Sequence, residues 1–291
     1  MFKSLLRLSR PVFLLLAAMT YILGAGIAHY IGQTVRVASF GLGVLSVLSL
    51  LIAAFFLAEY FRLPLVPLMQ GETFSKREHY RVVLLQVSYA AITLTIVAIF
   101  TLQINHLLSS PSVILFILAF LSMIAYAIPP MRLSESGYGE LVLAVTLGTI
   151  LPAVAFLLQA GQLFRLLSIT TFPLTLLALA YLLINNFPTF ANDQKFERHT
   201  LLTRLTWQNA IPIHHFLVLA AFLILSTAPF LGYPWSLVWP VFLALPFAAI
   251  QIIWLQRIGN GGRTLWNFLT ALASGTFGLT LYLLALTFWI R

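Results

Sequence analysis

Cysteine is absent from this 291-residue chain, which excludes a disulfide framework, a thiolate zinc site and a cysteine nucleophile. Charge is almost as scarce. Only 8% of residues are charged, sixteen basic and seven acidic, where a soluble domain of this length carries roughly seventy. That shortage excludes an ordinary soluble globule, a disordered tail and a coiled coil. Aspartate occurs once, as Asp193, and a single aspartate restricts any chemistry that depends on clustered carboxylates around a metal. What fills the chain instead is apolar: 61% of residues are hydrophobic, and a mean hydropathy of +1.00 is the composition of a protein dissolved in lipid.

The net charge of +9 does not point to nucleic acid. A nucleic-acid binder displays its basic residues on a folded, water-facing surface, whereas here they fall in short loops between apolar runs. Windows long enough to cross a bilayer lie at 11–31, 38–61, 81–104, 112–128, 139–160, 167–187, 211–231, 235–256 and 265–289. The first window exceeds the roughly 7–15 residues of a signal-peptide core, so it reads as an uncleaved span. Backbone polar groups in lipid must be satisfied within the segment, and the runs are too long and too weakly alternating for barrel strands. The expected fold is therefore all-α, a single polytopic domain over residues 1–291 with about nine transmembrane helices.

Charge placement orients it. With the N-terminus in the cytoplasm, every basic residue except Arg36, Arg165 and Arg291 lies inside, a strong positive-inside bias. All seven acids follow the same side: Glu59, Glu72, Glu78, Glu135, Glu140, Asp193 and Glu197. The expected location is the cell membrane, with the polar chemistry at the cytoplasmic face.

Three inner segments carry that chemistry. The first runs from Glu59 and Arg62 through Pro67, Leu68 and Gly71 to Lys76, Arg77 and Glu78. The second runs from Tyr126 through Pro129, Pro130, Arg132 and Leu133 to Gly137, Gly139 and Glu140. The third places Asn185, Asn186, Pro188, Asn192, Asp193, Lys195, Arg198 and Arg204 within about twenty residues, directly below a span. Arginine and lysine neutralise phosphate oxygens, while aspartate and asparagine oxygens suit Mg²⁺ that bridges to phosphate. On residue types alone the third run is equally a solvated cytoplasmic loop that obeys the positive-inside rule.

In these segments the chain resembles the UbiA superfamily of integral membrane prenyltransferases, and within it the branch that prenylates dihydroxynaphthoate for menaquinone. The resemblance covers nearly the whole length. It starts at Arg10-Pro11 and Leu23-Gly24 and continues through Pro67, Leu68 and Gly71. Its most specific part is Tyr126, Pro129, Pro130, Arg132 and Leu133, followed by Gly137, Gly139 and Glu140. The stretch from Asn185 to Leu205 matches the second aspartate motif without a gap.

The resemblance implies transfer of an isoprenoid from a prenyl diphosphate to an aromatic, quinone-precursor-like acceptor, with Mg²⁺ bound between two Asp-rich motifs. Carried over, it implies Asp193 and Glu59 as catalytic residues and, with Asn192, as metal ligands. Arg132, Lys195, Arg198 and Arg204 would bind diphosphate, and Tyr126, Asn185 and Asn186 would line the acceptor pocket. The chain departs from the pattern at the first motif, where Ala58 to Arg62 replace the aspartates, and at Thr189 in the second. Four or five carboxylates become two, enough for one Mg²⁺ with phosphate oxygens and water but not for the usual pair.

Each residue has a plainer role beside the catalytic one. Asp193 is also placed to cap the segment that follows it, and Glu59 to pair with Arg62. Arg132 and Arg204 double as topology charges, and Tyr126 as an interface anchor. His214-His215 opens the seventh window without a third ligand nearby, and Gly259 to Gly262 reads as a tight turn rather than a phosphate cradle. The alternative to an enzyme is a catalytically degenerate relative that serves as a lipid-binding or partner subunit. A transporter is disfavoured, because transporters carry charges or broken helices near the bilayer midplane.

Overall fold

In the computed structural model the described residues are 2–62 and 74–291. Among them, nine helices are long and apolar enough to cross a membrane: α1 (Pro11–Tyr30), α2 (Val37–Tyr60), α3 (Glu78–Ile104), α4 (Ser110–Ala127), α5 (Gly139–Ala160), α6 (Arg165–Lys195), α7 (Leu201–Leu231), α8 (Trp235–Gly259) and α9 (Trp266–Ile290). They coincide with the nine apolar windows to within a few residues at most ends. The described residues contain no β-strand, only one isolated pairing of Ser136 with His199. The expected matches at Pro67, Leu68, Gly71 and Glu72 lie outside the described residues.

Spans α5 and α6 form the centre, α1 and α2 flank them, and α3, α4 and α8 present most of their surface outward. Small residues allow the central helices to close up, as they do where lipid supplies no hydrophobic drive. A Cβ on Gly24 of α1 would collide with the Pro152 backbone of α5, and one on Gly148 would meet the Thr175 backbone of α6 at 2.5 Å. Residues Thr146–Ile150 form a π-helical turn just before Pro152. Pro152 lacks an N–H and crowds the carbonyl four residues earlier, and the wider turn absorbs that conflict.

Span α7 differs from its expected window. The helix starts at Leu201, ten residues before the apolar window, and contains a non-helical residue, Thr206, at φ 63° and ψ 161°. Its N-terminus is capped by Thr200, whose hydroxyl accepts the Thr203 N–H while the Thr203 hydroxyl accepts the Thr200 N–H. His214-His215 therefore lies inside the helix rather than opening it. His214 is fully buried, and Gln251 of α8 donates to its Nε2 at 2.7 Å. Gly259 to Gly262 is the expected turn, with Gly261 at φ +87° and the Gly262 N–H closing onto the Arg257 carbonyl at 2.9 Å.

Candidate active site

Every described acidic residue falls at one end of the bundle, where arginines hold Glu59, Glu135 and Asp193. Glu59, in the last turn of α2, is 5% exposed. Arg62 places Nη2 at 2.8 Å from its Oε1 and 2.7 Å from its Oε2, and Arg10 Nη2 lies 3.9 Å from Oε1. Burial depresses the Arg62 guanidinium and Glu59 opposes that, with Arg198 and Arg10 close enough to add to the depression. Arg10 precedes Pro11 at the start of α1, with its backbone in the left-handed region at φ 53°. It donates to the Tyr126 hydroxyl at 3.2 Å and covers the Phe55 ring at 4.9 Å. Tyr126 raises the Arg10 guanidinium above its ordinary value; burial opposes this and Glu59 assists it.

The second buried acid is Asp193, in the short helical stretch Phe190–Lys195 that ends α6. It caps nothing. Its Oδ2 accepts from Thr189 Oγ1 at 2.8 Å, and its Oδ1 lies 3.5 Å from Arg198 Nη1. Thr189 stands where the superfamily pattern has an aspartate, so a hydroxyl donor replaces a second negative charge. Arg198 Nε is buried and has no partner. The second and third inner segments are joined by the Ser136–His199 pairing and by Arg204, which stacks on Tyr138 at 4.4 Å and packs against Gly137.

Between these groups lies a cavity of about 320 Å³. Its polar wall carries Arg10, Arg198, Tyr126, Tyr181, Asn185, Asn186 and Glu140, and its apolar wall carries Phe13, Leu143 and Leu182. Asn186 Nδ2 donates to Glu140 Oε1 at 2.5 Å, and Asn185 Nδ2 donates to the Tyr181 carbonyl at 2.8 Å. Two guanidinium groups beside an apolar wall suit an anionic head on a greasy tail.

Of the residues expected from sequence, Tyr126, Asn185, Asn186 and Arg198 meet on this wall. Glu59 and Asp193 do not line it; each is buried and holds an arginine that does. Arg132 pairs with Glu135, and Arg204 with Tyr138. Lys195 and Asn192 are exposed, the lysine over Phe196. Sequence reasoning left Arg10, Glu140 and Tyr181 out of the site. The signals were present for two of them: Arg10-Pro11 opens α1, and Glu140 ends the most specific matched segment.

The donor set does not fit a Mg²⁺ centre at Glu59, Asp193 and Asn192. Both carboxylates are engaged by arginines, and among the described residues no three His, Cys, Asp or Glu side chains gather. A cation there has to displace a guanidinium from a buried acid, which costs the pair its charge balance.

The sequence matches the UbiA prenyltransferase family over residues 80–268. Among solved structures, a UbiA homologue from Archaeoglobus fulgidus bound to GPP and Mg²⁺ is 16% identical, with a TM-score of 0.59 over 99% of this chain and 98% of that one. A UbiA homologue from the same organism bound to Cd²⁺ is 13% identical, with a TM-score of 0.59 over 97% and 99%. A digeranylgeranylglyceryl phosphate synthase is 14% identical, with a TM-score of 0.57 over 99% and 97%. No curated protein matches the sequence. At these identities the structures show a common fold, and with nine helices among the described residues long and apolar enough to cross a membrane the chain is an integral membrane protein. The family match takes in more than half of the chain, including the cavity residues contributed by α4, α5 and α6. The chain belongs to the UbiA prenyltransferase family.

Proposed function

We propose that this protein transfers an isoprenoid from a prenyl diphosphate to an aromatic, quinone-precursor-like acceptor at the cytoplasmic face of the membrane. The observation that carries the reading is Arg198: it lines the cavity and keeps a buried Nε–H with no partner. Arg10 faces the same space, so a diphosphate there receives two guanidinium groups in a partly water-excluded site, where charge–charge attraction is strongest. Phe13, Leu143 and Leu182 offer the first isoprene units an apolar wall. The homologue bound to GPP and Mg²⁺ supports the substrate class.

In the reaction the C1–O bond of the prenyl diphosphate breaks and diphosphate leaves with the bonding pair. The allylic C1 then bonds to an electron-rich carbon of the acceptor, and that carbon loses its proton. Arg10 and Arg198 stabilise the charge that grows on the leaving oxygen. Tyr126 and Tyr181 line the same space, aromatic neighbours of the kind that favour an allylic cation. Glu140, the one carboxylate on the cavity wall among the described residues, takes the released proton, with Asn186 orienting it. No step runs through Mg²⁺, because the carboxylates expected to hold it are bound to arginine.

The test is a transfer assay on protein in lipid nanodiscs with labelled geranylgeranyl diphosphate and two acceptor panels, quinone precursors and isoprenyl glycerol phosphates. Labelled product from the aromatic panel supports the reading; product from the glycerol panel alone overturns the acceptor. A second reading rests on the arginine-locked carboxylates: a degenerate relative that binds prenyl diphosphate as a lipid-binding or partner subunit. Saturable binding without turnover on either panel favours it.

A further inference from the structure

At the end of the bundle opposite the acids, the turns after α1, α3 and α5 enclose a second cavity of about 230 Å³. Its polar wall carries Gln33, Arg36, His106, Ser109 and Gln159. Gln159, in the last turn of α5, is 3% exposed, and its Oε1 accepts the Arg36 backbone N–H at 2.8 Å. That bond fixes the amide, since a flipped side chain would set one N–H against another. Gln159 Nε2 is thereby committed as a donor, and it is buried with no partner.

Buried amide donors are nearly always matched, so an unmatched one on a residue that lines a cavity points to an acceptor that completes the site. Residues 31–36, 105–109 and 161–164, which form the turns around the cavity, contain no Asp or Glu. No acidic side chain of these turns faces Arg36, which is exposed and lines the same cavity, so its guanidinium is open to an anion from outside. Water satisfies the amide alone, whereas an anion accepts from the amide and pairs with the guanidinium as well. The donors reach the space from separate turns, which suits a tetrahedral oxyanion, and the cavity lies at the helix ends.

We infer that this cavity binds a phosphate group, with Arg36 and Gln159 as its donors. Two sources share that chemistry, the headgroup of an anionic lipid and free inorganic phosphate. The site is separate from the prenyl-diphosphate cavity and does not depend on its assignment.

Native mass spectrometry of the purified full chain with phosphatidylglycerol and with phosphatidylcholine tests the first source, and thermal unfolding with inorganic phosphate tests the second. The wild type is expected to prefer phosphatidylglycerol by at least about tenfold, and Arg36→Gln to lose that preference. Gln159→Glu keeps the acceptor for the Arg36 N–H but replaces the free donor with a charged oxygen. It is expected to remain folded, as read by monodisperse elution and an undiminished unfolding temperature, and to lose the preference. Lipid preference without stabilisation by inorganic phosphate assigns the site to a headgroup; stabilisation of the wild type alone by phosphate shows that the free ion suffices. No preference and no stabilisation in the wild type overturns the proposal. So does an equal loss in Arg165→Gln, a cation at the same end outside the cavity, because surface charge alone then explains the binding.

Discussion

Arg198 holds Nη1 3.5 Å from Asp193 Oδ1 while its own Nε–H stays buried without a partner. The acid thus occupies one edge of the guanidinium and leaves another free toward an anion. The arrangement casts Asp193 as the residue that positions an arginine.

Arg198→Gln is therefore expected to weaken geranylgeranyl diphosphate binding by roughly tenfold to a hundredfold, the worth of one charge-assisted hydrogen-bond set. Asp193→Asn keeps the Thr189 contact and should cost only a few-fold, about 1 kcal/mol. Titration calorimetry on nanodisc-embedded protein reads both. If Asp193→Asn abolishes turnover while binding is intact, a direct catalytic role replaces the positioning one.

Chelation separates arginine from metal neutralisation of the diphosphate. With EDTA present, prenyl-diphosphate affinity should change by less than roughly threefold, about 0.7 kcal/mol. A larger loss, restored by Mg²⁺, would mean that the cation does displace a guanidinium from Glu59 or Asp193.

Glu140→Gln removes the carboxylate at the cavity wall but preserves its shape and its contact with Asn186. Turnover should fall by roughly 10² to 10⁴, the usual share of a general base, with substrate affinity unchanged. Equal losses in affinity and turnover would instead mark Glu140 as a binding group.

Glu59→Ala leaves the half-buried Arg62 without its closest counter-charge and should destabilise the bundle by about 1–3 kcal/mol. The double change Glu59→Ala with Arg62→Ala should recover much of that loss, because no lone buried charge remains. Unfolding in mixed micelles measures the cycle. Additive losses would show that the pair is not coupled.

Gly24→Val tests the approach of α1 to α5. Its side chain meets the Pro152 backbone, which has no flexible end to move aside, so a loss of about 1–3 kcal/mol is expected. An unchanged unfolding midpoint would show that the two helices separate freely.

The span count was legible because it rests on one-dimensional quantities, the lengths of apolar runs and the places where charges interrupt them. The extension of α7 down to Leu201 was not, because residues 201–210 are polar enough to read as loop. A Thr200–Thr203 cap and contacts to the neighbouring segment hold them helical. The site was half legible. Tyr126, Asn185, Asn186 and Arg198 were found from their segments, whereas Arg10 was passed over as a topology charge.

The sequence by itself determined that this is a bundle of membrane-crossing helices with its acids gathered at one end, since lipid excludes charge wherever it falls. It also determined that few carboxylates were available to any metal. Only the tertiary structure decided what those carboxylates do. Glu59 meets Arg62, three residues on, as its spacing allows, but it also meets Arg10 from a separate segment, and Asp193 turns to Arg198 instead of capping a helix, because a buried acid is held by the nearest cation that packing brings within reach. The convergence of Arg10 and Arg198 on one cavity depends on distances of a few ångströms between segments far apart in the chain, which no local pattern encodes.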